Sequence, residues 1–163
     1  MTSLRNKTAI VTGASSGIGY ATARLFAQEG ANVVVTARRQ DALNALVTEI
    51  ESEGGRAVAL AGDIRDETLA RALVETAVRH FGGLDIAFNN AGMNGEMGPT
   101  PGVSLAGWNE TLAVNLTAAF LGAKYQIPAM LDRGGGSVIF TSTFVGYTAG
   151  MPGVAAMPPA SRA

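Results

Sequence analysis

Cysteine is absent from this sequence, so disulfides and thiolate metal sites are excluded. Lysine is nearly absent, occurring only as Lys7 and Lys124. The single histidine, His80, falls at the end of a helical stretch, where a surface C-terminal cap is the simplest reading. Charged residues are few (15%) and almost balanced; a net charge of −1 carries no electrostatic footprint for nucleic acid or an anionic membrane. No apolar run reaches membrane-spanning length, and neither an apolar stretch nor a cleavage pattern precedes the first apolar segment. A cytoplasmic location is therefore expected. With 47% hydrophobic residues and a mean hydropathy of +0.22, the sequence is also unlike a disordered chain. Its 163 residues suit one domain that buries roughly 68–70% of its unfolded surface.

What is plentiful is glycine, 21 residues, concentrated between apolar segments. Thr8–Val11 is short, β-branched and apolar, a buried strand by pattern. Ile18, Ala21, Thr22, Leu25 and Phe26 then recur at helical spacing up to Gly30. Asn32–Ala37 does not alternate and is expected to be buried on both faces. A second helix carries Leu43, Leu46, Val47 and Ile50 and stops at Gly54-Gly55. Ala57–Ala61 is the third predicted strand, Asp66 caps a helix running to Phe81, and Leu84–Phe88 is the fourth strand. A long helix over Leu105–Leu131 is apolar nearly all round and is expected to be buried on several sides. Gly134–Gly136 ends it, and Val138–Thr141 is the fifth strand. Strands alternating with helices predict an α/β fold, a Rossmann-like doubly wound parallel sheet with right-handed crossovers.

Gly13-Ala14-Ser15-Ser16-Gly17-Ile18-Gly19 joins the first strand to the first helix. A turn of this kind needs glycine so that backbone can approach a pyrophosphate, and the helix amino terminus adds free N–H groups and a favourable dipole. Three glycines in a tight turn would be the plainer explanation, but the strand before and the helix after favour phosphate binding. Asn89-Asn90-Ala91-Gly92 follows the fourth strand, whose carboxyl end flanks the ligand crevice in a doubly wound sheet. The two asparagines can hold the crevice together through their amides; an ordinary Asn-rich turn is the alternative. About twenty residues past the glycine loop, where an acid would select NAD, stand Ala37, Arg38 and Arg39. A guanidinium can grip a 2′-phosphate with two charge-assisted bonds, so NADP(H) is favoured over NAD(H), against a solvated pair of arginines at a helix start.

TGASSGIG (12–19), GDI (62–64), NNAG (89–92) and Asn115, in this order and spacing, resemble the short-chain dehydrogenase/reductase family over about residues 7–156. The resemblance implies hydride transfer between nicotinamide and a small-molecule carbonyl or alcohol. It places Gly13, Ser15, Ser16, Gly17, Ile18 and Gly19 at the cofactor phosphates, Asp63 and Ile64 at adenine, and Asn89, Asn90, Ala91 and Gly92 on the ribose side. Asn115 matches the helix asparagine that supports a proton-relay water, with a satisfied buried amide as the alternative. Thr143, or the adjacent Ser142, matches the serine that binds the substrate oxygen. The resemblance also implies a homo-oligomer through the long helix, here 105–131, although the second family helix of that interface is expected to be missing, which compromises it.

The family's Tyr-x-x-x-Lys pair has no counterpart: Met157 and Ser161 stand at those positions, and Pro158-Pro159 opposes a helix there. A tyrosine ordinarily titrates near 10, and the lysine ammonium is what lowers it into catalytic range. Residues 1–156 thus read as an incomplete nucleotide-binding domain lacking the family's final strand and helices, and 157–163 as an aberrant tail. Three outcomes stay open: a working reductase, a non-catalytic nucleotide-binding module, or a frameshift product without function. The genetic code permits a frame change, which is the reading expected here. The bases TAT GCC GCC AGC AAG CCG GGC CTG A encode Tyr-Ala-Ala-Ser-Lys-Pro-Gly-Leu, and shifted by one base they give Met-Pro-Pro-Ala-Ser-Arg-Ala and a stop, as in Met157–Ala163. The coding DNA is expected to read TAT across Met157 in the frame one base earlier, followed by a helix-forming sequence. Sequencing that shows another base before this ATG, or early stops in the earlier frame, would refute the frameshift.

Overall fold

Five-residue runs of β-branched and small apolar side chains build the centre of the molecule. A computed structural model describes residues 3–143. Strand β1 (Thr8–Thr12) is buried at every position, and β2 (Asn32–Thr36) is buried after its first residue. They pair in parallel register, Thr8 beside Asn32 through Thr12 beside Thr36. Strand β3 (Arg56–Ala59) adds to β2, β4 (Ile86–Asn89) to the other side of β1, and β5 (Ser137–Phe140) to β4. The order is β3-β2-β1-β4-β5, all parallel. This is the doubly wound α/β sheet that the alternation predicts. Individual strands start or stop one or two residues from the predicted bounds, because polar residues such as Asp85 and Asn89 hydrogen-bond at the strand ends.

Helices α1 (Gly17–Gln28) and α2 (Gln40–Ser52) cover one face, where Val11, Val33 and Val35 meet Ala23, Leu43, Leu46 and Ile50. On the other face Ile10, Val34 and Ala87 meet Leu69, Leu73 and Ala77 of α3 (Glu67–Phe81) and Met130. Burying a side chain such as Val34 on both counts contributes about 1.5–3 kcal/mol. Helix α3 has the ends its sequence predicts. Asp66 accepts from the Thr68 N–H at the amino end, and Gly82 closes the other end in the left-handed region, with His80 exposed in the last turn.

The long helical segment departs from expectation. It runs as α4 (Leu105–Leu112), a π-helical turn (Ala113–Thr117) and α5 (Ala118–Leu131), rather than as one regular helix. It is also covered on one side only. Ala118, Leu121, Gln126 and Met130 are buried, whereas Leu105 (75% exposed), Phe120 (62%) and Leu131 (68%) face away from the sheet. Apolar residues all round a helix show that it can be buried on several sides; among the described residues the sheet, α3 and the loop after β4 reach it. Strand β5, paired among the described residues with β4 alone, likewise leaves Ile139 and Phe140 half open.

At the amino ends of the strands, the buried Asp85 accepts from the Thr8 N–H (2.9 Å) and forms ion pairs with Lys7 (3.1 Å) and Arg133 (3.4 Å). It ties β1, β4 and the end of α5 together. Asp85→Ala is expected to destabilise the protein by about 1.5–3 kcal/mol, and Asp85→Asn by less because it still accepts from Thr8. Urea unfolding of the three proteins checks that ranking.

Candidate functional site

All the residues singled out above for cofactor contact lie at one end of the sheet, because parallel strands deliver their carboxyl ends to the same edge. The glycine loop follows β1, Arg38 and Arg39 follow β2, Asp63 and Ile64 follow β3, Asn89–Gly92 closes β4, and Ser142 and Thr143 follow β5. Between β1 and β4 the sheet order reverses direction, which opens a crevice there.

The glycines of the loop have distinct causes. Gly13 and Gly17 are left-handed, at φ +69° and +58°. Gly19 is needed for space: a Cβ on it would lie 2.4 Å from the Gly13 carbonyl oxygen and 2.9 Å from Asn90 Nδ2. The first turn of α1 is therefore pressed against the loop and against β4. Ser16 is the helix N-cap, yet its side chain makes no capping bond, and the first turn holds no acidic residue. The helix thus presents its N–H groups and positive end outward, with Ile18 64% exposed beside them.

Thr12 joins the loop to the opposite wall. Its hydroxyl oxygen accepts from the Asn90 N–H (2.9 Å) and the Ala91 N–H (3.0 Å), and its carbonyl accepts from Asn90 Nδ2 (3.2 Å). Asn90 Oδ1 in turn accepts from the Thr141 hydroxyl (3.0 Å). Asn90 therefore bridges β1 and β5 as its position suggested. Asn89 turns the other way, into a reciprocal amide pair with the buried Gln126 at 2.8 and 2.9 Å. Neither Thr12 nor Gln126 is singled out by the sequence reading. Thr12 stands inside the TGASSGIG stretch, and Gln126 is an isolated amide in an apolar helix, so each had a signal.

Asn115 sits in the π-helical turn, a feature frequent at functional sites. Its Oδ1 accepts from the Met93 N–H (2.9 Å) and its Nδ2 donates to the Met93 carbonyl (2.8 Å). This amide thus clamps the loop that follows Gly92 against the helix. Gly92 allows the approach, since a Cβ there would come within 3.3 Å of Asn115 Oδ1.

The charged groups divide into two sets. Arg39 reaches back to the glycine loop, with Nη2 3.2 Å from the Ser15 hydroxyl, while Arg38 is exposed nearby. Asp63 is gripped by Arg65, whose Nε and backbone N–H lie 3.0 Å from the carboxylate. The Arg65 side chain first, then its N–H and the Arg38 charge, hold the Asp63 carboxyl down at about 2. The Gly62 N–H donates to the Ala37 carbonyl, which fixes the β3 end beside the arginines.

Two concavities lie elsewhere. One of about 250 Å³ is lined by Arg5, Gln28 and Glu53, and one of about 330 Å³ by Val103, Leu105 and Trp108. Neither includes a residue of the glycine loop, whose donors and glycines make the crevice the better candidate. Met157 and Ser161 lie outside the described residues. No described helix is long and apolar enough to cross a membrane.

Comparison with known proteins agrees with this geometry. Residues 7–157 match the short chain dehydrogenase family. Cyclohexanol dehydrogenase of Acinetobacter sp. is 43% identical over 141 residues, which cover 86% of this chain and 56% of that enzyme. A 2,5-dichloro-2,5-cyclohexadiene-1,4-diol dehydrogenase of Sphingobium indicum is 42% identical over 93% of this chain and 60% of its own length. The crystal structure of a 3-ketoacyl-ACP reductase from Sinorhizobium meliloti superposes with a TM-score of 0.88 at 39% identity, covering 92% of this chain and 59% of that one. The chain thus spans little more than half the length of these relatives. On the match of sequence, sheet order and crevice together, the chain belongs to the short-chain dehydrogenase/reductase family.

Proposed function

We propose that this chain is the NADP(H)-binding part of an oxidoreductase acting on a small-molecule carbonyl or alcohol. The observation that carries the reading is the convergence of the unfilled α1 amino terminus, the Gly19 close approach and two guanidinium groups on one crevice. The loop Gly13–Gly19 would receive the pyrophosphate, the Asp63–Ile64 turn the adenine, and Asn89–Gly92 the ribose side. When bound, the nicotinamide supplies or accepts the hydride. Ser142 or Thr143, two or three residues past the β5 end, would donate a hydrogen bond to the substrate oxygen. Asn115 holds the Met93 loop that follows the ribose wall. The names of two relatives refer to ring alcohols, which supports an alcohol or ketone as substrate class. Exposed Leu116, Phe120 and Ile127 on the helical segment support pairing of two copies through 105–131.

Cofactor choice follows from charge. Asp63 is an ionised carboxylate paired chiefly with Arg65, so the exposed Arg38 and Arg39 retain most of their charge for a 2′-phosphate. The chain is expected to bind NADP(H) in preference to NAD(H) by roughly ten- to a hundred-fold, the equivalent of one charge-assisted contact of about 1.5–3 kcal/mol. Replacing Arg38 by Ala should erase most of that margin, and Arg39→Ala should weaken both nucleotides by loosening Ser15. Titration calorimetry with both nucleotides measures each effect; equal affinities in the unmodified protein refute the assignment.

Turnover is a separate matter. Hydride transfer to a carbonyl builds negative charge on oxygen, and with Met157 and Ser161 at the Tyr and Lys positions no group completes the protonation. Losing general acid catalysis costs about 10²–10⁴ in rate. NADPH consumption against a panel of ketones and aldehydes should therefore fall at least about a hundredfold below that of a protein with the Tyr-x-x-x-Lys frame restored. Met157→Tyr with Ser161→Lys alone should not rescue it, because Pro158-Pro159 remains. Activity within tenfold of the restored protein would overturn this reading.

A further inference from the structure

Gln126 is 2% exposed and lies on α5 among Ala118, Leu121, Gly122 and Met130. Both ends of its amide are engaged by one partner. Asn89 Nδ2 donates to Gln126 Oε1 (2.8 Å), and Gln126 Nε2 donates to Asn89 Oδ1 (2.9 Å). The helix is cleared for this contact: a Cβ on Gly122, one turn earlier, would lie 2.8 Å from Asn89 Oδ1. An amide in such surroundings is costly to leave unpaired, so each member dictates the orientation of the other.

Asn89 is the last residue of β4, and its backbone carbonyl accepts from the Thr141 N–H (3.1 Å), directly beyond β5. The Thr141 hydroxyl donates to Asn90 Oδ1, and Asn90 Nδ2 donates to the Thr12 carbonyl. A continuous run of hydrogen bonds therefore leads from α5 through β4 and β5 to the head of the glycine loop. We infer that Gln126 is a positioning residue for the crevice: by orienting Asn89 it sets the ends of β4 and β5, and with them the Asn90–Gly92 wall and the Ser142 and Thr143 hydroxyls. The inference rests on the reading of the crevice as a nucleotide site, and it differs from a simple tie between helix and sheet. A tie would stabilise the whole molecule evenly; a positioning residue acts on the strand ends first.

The experiment compares the full chain with Gln126→Leu, which keeps the bulk and removes both bonds, and Gln126→Glu, whose carboxyl, held protonated by burial, keeps an acceptor for Asn89 Nδ2 and a donor to Asn89 Oδ1. Backbone amide exchange is followed by NMR at Thr141 and Ala91, with Val34 in the sheet centre as reference. In Gln126→Leu, exchange at Thr141 is expected to accelerate at least about tenfold more than at Val34. The NADPH dissociation constant is expected to rise about tenfold or more in Gln126→Leu and to stay within about threefold in Gln126→Glu. Equal acceleration at Thr141 and Val34, or NADPH affinity in Gln126→Leu within twofold of the unmodified chain, overturns the inference. If the unmodified chain binds neither NADPH nor NADH, the nucleotide reading fails, and the exchange comparison alone decides whether Gln126 positions the strand ends.

Discussion

The side chain of Thr12 holds the two central strands at the point where the sheet changes direction. Its oxygen accepts from two successive N–H groups that β4 would otherwise leave without partners as it ends. Buried backbone donors must find acceptors, and at a diverging pair of strands the neighbouring strand can no longer provide them. The hydroxyl takes over that duty. Because Gly13 lies within Cβ reach of Ala91, and Gly19 beneath Gly13, the glycine loop, the α1 amino end and the β4 wall are all located by this joint. The crevice is thus a consequence of satisfying backbone at a divergence, with the functional groups arranged around it.

Electrostatics at the crevice follow a similar economy. The α1 amino end has neither a capping side chain nor an acid in its first turn, features that would stabilise an isolated helix. By contrast α3 carries both, with Asp66 as cap and Glu67 behind it. The difference separates a helix end that is finished internally from one whose N–H groups stay open to the anion proposed above. The acid that does approach the crevice, Asp63, is held by Arg65 and so adds little negative potential. Arg38, Arg39 and the uncapped α1 amino end thus place positive charge near the glycine loop although the chain as a whole is almost neutral.

Much of this was legible in the residues. Apolar runs without alternation located the sheet centre, since strands buried on both faces carry no polar side. Glycine spacing located the loop, because Gly13 and Gly17 take conformations that other residues resist. What remained hidden involves partners distant in sequence. Nothing near Gln126 points to Asn89, 37 residues away. Adjacent arginines cannot reveal that Arg39, rather than Arg38, turns back to Ser15, since that depends on how β2 hands over to α2. The burial expected for residues 105–131 failed for a related reason. Hydropathy records what a surface could bury, while coverage depends on which other elements reach it.

Strand order has a consequence for how the binding site comes into being. Strands β1, β2 and β3 are neighbours in both sequence and space, so one flank of the sheet assembles from local contacts. The crevice instead requires β4 to return to β1, and its Thr12–Asn90 joint spans 78 residues. Closing a long loop carries an entropic cost before any contact rewards it. The crevice and this longest closure therefore arise in the same step. A nucleotide bound as proposed above would recognise only chains in which that step is complete, and its presence would shift the folding equilibrium by mass action toward them. The proposed ligand site would thereby report on the closure between β1 and β4.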